Sequence, residues 1–448
     1  VRAYRGHLLH IGGAPQLAQA GDHLVSVPDG VLVVDDDGVI AFSGAHERLP
    51  ADMADAEVID CRPGYLLPGF IDTHLHFPQT YCTDSYGGGQ LLDWLQRCIF
   101  PAEAMLADPD LAQRTARDFC RRRIEVGTTT ALVFGSAFPD AQDALFTESL
   151  RVGLRTVSGR GIQTVGPEAA EPLLTDETTA IELSAGEIDR WHAADPLLQV
   201  ALVPRFALSV TARTLTALGE LYDSVRADGV YFHSHLSENL REIEAVRDSL
   251  GVSCYLDAYD GRIGGADAPT LLGRRSVLAH AVHCTDRELA RLADTGTSIS
   301  HCPTSQQFLG SGTMPWRRTT ASGVTVALGS DVGAGDEWLM ARVANDCFKV
   351  HISEPGAAGL SIPPAQLLFT ATLAGARALD IEDRVGNLDA GKQADFLVVD
   401  PQRQRLLPEL LERVAPEDAD RLLFTLLLGM RETAIAQVYV QGRELTGE

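Results

Sequence analysis

The sequence predicts an α/β chain, with a (β/α)8, TIM-like barrel over residues 67–383 and a small β-sandwich domain assembled from residues 1–66 and 384–448. Three observations carry this. The middle of the chain alternates short apolar runs with helix-like stretches, the pattern of repeated βα units. Both chain ends read as strands and turns. Histidines, an arginine and an aspartate recur where the central runs stop, which is where a βα barrel keeps its chemistry. A doubly wound parallel sheet shares the alternation and is the competing architecture.

The elements follow in order. Residues 31–34 form an apolar run, 35–38 (Asp-Asp-Asp-Gly) a hairpin-type turn, and 39–42 a second apolar run. The stretch 67–79 ends a strand with His74 and His76, so both imidazoles leave the same face. Residues 111–125 carry apolar positions at helical spacing, and 128–134 is a strand. Further strands are expected at 199–204, 229–235, 276–280, 297–301 and 324–331, and in the terminal domain at 394–400 and 436–442.

Composition narrows the class. The chain has 448 residues, 45% hydrophobic and 22% charged, enough for one large core and a smaller second unit. Its formal net charge is −24, with no block of five like charges. Such a field repels nucleic acid and anionic membrane, so neither is expected as a partner. The 8 cysteines are scattered without a C-x-x-C, which reads as thiols in a reducing cytosol and a cytoplasmic location. No leader-type segment and no apolar stretch of ~18 residues is seen, so neither a signal peptide nor a membrane span is expected. H-E-x-x-H, G-x-S-x-G, phosphate-loop and dinucleotide fingerprints are missing, as is the H-x-E with P-C-x-x-C zinc-site pattern.

Reading the strand ends in order gives His74 and His76, Arg205, His235, His280, His301 and Asp331. His74, His76, His235 and Asp331 make a plausible three-nitrogen, one-oxygen site for a zinc-like ion with room for water. Glu238 follows His235 by three residues and can point back into the same cavity as a proton carrier. It can also serve as an acid at the start of a helix over 239–246. His233 shares a strand face with His235 and competes with it as a ligand.

At this point the chain resembles the amidohydrolase superfamily and, within it, the guanine deaminase family. The matching motifs are P-G-F-I-D-T-H-L-H-F-P-Q (68–79), L-L-D-W-L-Q-R-C-I-F-P-A-E (91–103), P-R-F-A-L-S (204–209), S-H-L-S-E-N (234–239), L-A-H (278–280), H-C-P-T-S (301–305), G-S-D-V-G-A-G (329–335) and R-L-L-F-T-L-L-L-G (421–429). The resemblance implies a barrel hydrolase that converts guanine to xanthine and ammonia. It implies one Zn2+ on His74, His76, His235 and Asp331, with His280 beside the activated water. Asp331 would also accept the water proton, and Glu238 would carry a proton to the purine ring. Gln79 and Arg205 resemble the family's readers of the purine edge, Phe206 a wall for the ring, and Trp94 a residue closing the pocket. Two-metal members commonly bridge their ions with a carboxylated lysine. Here the lysines are only Lys349 and Lys392, outside any matching position, so one ion is expected. Relatives of this kind are commonly homodimers. Asp336-Glu337-Trp338 and Gln306-Gln307 depart from the family pattern, in loops expected to border the pocket.

Overall fold

The computed structural model describes residues 1–86, 90–263, 266–354 and 360–447. Eight strands follow one another in sheet order exactly as they do in sequence: Phe70–His76, Thr128–Phe134, Arg155–Gly159, Leu198–Pro204, Tyr231–Leu236, Ser276–His280, Ser298–His301 and Val326–Leu328. A doubly wound sheet would reverse its order partway, so the barrel is the architecture. The first and last strands meet through backbone bonds. The Asp331 amide donates to the His74 carbonyl at 2.8 Å, and the His76 amide to the Val332 carbonyl at 2.7 Å.

Most expected strands are observed within a residue or two. The last is shorter: 324–331 was expected, and the strand is Val326–Leu328. Asp331, three residues past the strand, has φ 52°, a left-handed conformation incompatible with an extended run through 331. The expected helix at 111–125 spans Pro109–Glu125. The helix Leu240–Leu250 starts at Asn239, whose side chain accepts from the Arg241 amide, and stops at Gly251 in the left-handed region.

The terminal strands hydrogen-bond as one seven-stranded sheet, in the order Arg443–Glu444, Ile435–Val440, Phe396–Val399, Glu57–Pro68, Arg2–Ile11, Leu24–Val34, Ile40–Ala45. Glu57–Pro68 joins the two chain ends, parallel to Arg2–Ile11 and antiparallel to Phe396–Val399. Period-2 alternation gives this sheet apolar packing on both faces. Tyr4, Leu32, Phe396 and Tyr439 belong to one cluster, and Ala3, Val31 and Val33 to another. The hairpin at 35–38 forms as read: Asp35 accepts from the amides of Asp37 and Val39, and Gly38 takes φ 76°. The strand-and-turn reading of 384–448 missed two helices, Leu407–Leu411 and Ala419–Gly429. In the second, Leu422, Leu423, Leu426 and Leu427 are buried at helical spacing.

Contacts divide the chain into two units. One holds Val1–Asp72, Arg121–Thr130 and Trp338–Glu448; the other holds Thr73–Cys120 and Ala131–Glu337 and contains every site residue considered below. None of the cysteines is in a disulfide. Among the described residues no helix is long and apolar enough to cross a membrane.

Candidate active site

Five of the residues read from the strand ends converge. The Nε2 atoms of His74 and His76 each lie 3.1 Å from Asp331 Oδ1. His235 Nε2 is 3.4 Å from His76 Nε2, and His280 Nε2 is 3.8 Å from Asp331 Oδ2. One ligand atom from each of His74, His235, His280 and Asp331 lies within 4.8 Å of the others. The backbone is strained at the same place. Ser237, His280, Ala281 and Asp331 all have φ between 48° and 76°, which costs roughly 1–3 kcal/mol for each such residue.

Neighbours fix which ring nitrogen faces inward. His235 Nδ1 donates to the Arg205 carbonyl at 2.5 Å, so its Nε2 carries the lone pair. His233 Nδ1 donates to the Val277 carbonyl at 2.7 Å, so its Nε2 can only accept. It accepts from His74 Nδ1 at 2.8 Å, and His74 therefore turns Nε2 towards Asp331. His233, read from sequence as a competing ligand, instead orients the His74 ring. Replacing it with phenylalanine removes the acceptor while keeping an aromatic ring. His233→Phe is expected to weaken metal affinity by about 10–100-fold, measured by chelator competition. Unchanged affinity would remove this role.

The donor set suits a divalent cation. Burial lowers the pKa of His74, His76 and His235, and takes His280 to about 3, so all four rings are neutral. Burial works against the Asp331 carboxylate, yet its pKa lies well below the usual carboxyl range, so it is ionised. A buried carboxylate among neutral imidazoles carries a charge that a bound cation balances. Nitrogen donors with one carboxylate match a zinc-type ion.

Glu238 is 2% exposed. Its Oε2 is 3.4 Å from His280 Nε2, and its Oε1 accepts from the Ser311 hydroxyl at 3.2 Å. It does not cap the helix that follows. Glu242 does, accepting from the amides of Glu238 and Asn239 at 3.1 and 3.2 Å while Tyr255 donates to its other oxygen at 2.8 Å. Burial, then the charges of Glu242 and Asp331, push Glu238 well above the usual carboxyl range, which favours its protonated form.

A cavity opens over these groups. Its polar lining includes His76, Gln79, Arg205, His235, Glu238, Glu242, His280 and Asp331; its apolar lining is Leu91, Trp94, Leu95, Phe206, Leu309 and Ala334. Every residue read from the sequence as a purine contact thus lines it. Trp94 is held by its indole N–H, which donates to the Ser85 carbonyl at 2.8 Å. The departures from the family pattern lie elsewhere. Of the loop after Asp331 only Ala334 lines the cavity, and Asp336 is exposed. The Gly335 amide bonds back to the Asp331 carbonyl at 2.6 Å, and this tight turn takes 336–338 off the lining. Gln306 and Gln307 also lie outside it. Sequence reasoning missed Glu103 and Ser311. Glu103 is buried against Gln79 and Arg205, and only its place at the end of the 91–103 motif hinted at a role.

The amidohydrolase family model matches residues 65–445. The chain is 40% identical over 426 residues to a probable guanine deaminase of Deinococcus radiodurans, covering 93% of each. It is 33% identical over 418 residues to a guanine deaminase of Escherichia coli, covering 93% of this chain and 91% of that one. A solved guanine deaminase from C. acetobutylicum, with guanine bound in its active site, superposes with a TM-score of 0.87 at 26% identity, covering 99% of this chain and 100% of that one.

Proposed function

This chain belongs to the amidohydrolase family, and on that premise we propose that it deaminates guanine hydrolytically to xanthine and ammonia. The observation that carries the reading is a cavity in which a donor set for a divalent ion meets a buried acid, Glu238, 3.4 Å from His280.

His74, His76, His235 and Asp331 would hold one zinc ion, leaving His280 beside Glu238. When bound, that ion supplies water acidified enough to act as a nucleophile at neutral pH. The remaining work falls to the chain's own groups. Asp331, at its oxygen nearer His280, takes a proton from the attacking water. Glu238 gives its proton to the ring nitrogen beside C2 as the new C–O bond forms there. Attack ends ring aromaticity, so charge would build on that nitrogen without the proton. Glu238 then takes the second proton from the new C2 hydroxyl and gives it to the amino nitrogen as the C2–N bond breaks and ammonia leaves, and the proton held by Asp331 restores Glu238. Gln79 and Arg205 bind the polar edge of the purine, Phe206 packs on its face, and Trp94 closes the cavity. Zinc as the ion, a homodimer as the assembly and a cytoplasmic location complete the proposal.

The test is ammonia release from guanine, 8-oxoguanine, a pterin and an aminotriazine by the purified protein. Guanine is expected to have the highest kcat/KM. Guanine left intact while another ring turns over would overturn the assignment.

A further inference from the structure

One buried carboxylate holds both proposed readers of the purine edge. Glu103 accepts from Arg205 Nη1 at 2.7 and 2.5 Å and from Gln79 Nε2 at 2.8 Å. The ion-pair side chains are each 6% exposed, and the Arg205 guanidinium also lies 5.4 Å over the Phe100 ring. On its other side Gln79 Oε1 accepts from the Gly333 amide at 3.2 Å.

These partners allow one orientation only. An ionised carboxylate only accepts and a backbone N–H only donates, so the Gln79 amide cannot flip. One Gln79 N–H and one Oε1 lone pair remain to face a ligand. Arg205 commits Nη1 to Glu103 and keeps Nε and Nη2. Glu103 also supplies the counter-charge for a guanidinium that would be costly to bury alone. It does not line the cavity itself, so it acts through its two partners.

We infer that Glu103 is a positioning residue that sets specificity for purines with a ring carbonyl, by presenting Arg205 and Gln79 as preset donors to that oxygen. The inference rests on the guanine reading above. A purine without the oxygen would leave buried donors unpaired, which discriminates more strongly than shape alone.

The experiment compares kcat and KM for guanine and for 2-aminopurine, which lacks the 6-oxygen. It uses the metal-loaded wild type, Glu103→Gln, Glu103→Asp, Arg205→Ala and the Glu103→Gln/Arg205→Ala double variant. Glu103→Gln is expected to raise KM for guanine about tenfold or more, with metal content unchanged and the preference over 2-aminopurine narrowed. Added to Arg205→Ala it is expected to cost clearly less than it does alone, leaving only the part that acts through Gln79. Glu103→Asp, which keeps the charge, is expected to retain more of the preference, and it carries the test should Glu103→Gln misfold. An unchanged KM and preference, or full additivity with Arg205→Ala, would overturn the inference. A wild type inert on guanine would instead overturn the reading it rests on.

Discussion

Glu238→Gln is expected to lower kcat about 10²–10⁴-fold, the range for loss of a positioned general acid–base group, while leaving metal content unchanged. The two side chains are nearly the same size, and glutamine can still accept from Ser311 as Glu238 does. What the amide lacks is an acidic proton. In the native protein burial beside Glu242 and Asp331 favours the protonated carboxyl. Glu242 caps the helix independently, so the substitution leaves the local backbone supported. Steady-state ammonia release and metal analysis check both halves. Retained turnover would remove Glu238 from the chemistry.

Stripping the metal with a chelator is expected to abolish turnover, with activity restored by zinc. It is also expected to lower the thermal midpoint. Removing the ion leaves the Asp331 charge buried among neutral imidazoles. Ligand binding adds about 4 kcal/mol of stability when free metal is a thousandfold above its dissociation constant. The apo protein should therefore melt earlier in calorimetry, and the difference should vanish on zinc addition. Full activity after exhaustive chelation, with an unchanged midpoint, would exclude a bound cation from both roles.

The site was legible in sequence where a polar residue ends an apolar strand. His74, His76, His235, His280 and Asp331 show that signature, and the barrel gathers strand ends at one face. The jobs of His233 and Glu103 were not legible, because each depends on a partner far along the chain. His233 is fixed by the Val277 carbonyl of a neighbouring strand. Glu103 reaches an arginine 102 residues away. The loop expected to border the pocket does reach the cavity, at Ala334, but composition does not show the turn that leaves 336–338 off its lining. In the fold, the leucine-rich stretch at 422–427 lay between strands and its short apolar run did not settle strand against helix. The last barrel strand stops at Leu328 and Asp331 takes a left-handed backbone, neither of which residue type alone announces.

Anomalous diffraction from crystals of the purified protein soaked with guanine is the most direct measurement. The expected map has one metal peak bonded to the Nε2 atoms of His74, His76 and His235 and to the Asp331 carboxylate, with the purine packed against Phe206 and its C2 facing the ion. A map with no metal peak among those side chains, or with the ion bound elsewhere while guanine still turns over, would contradict the account.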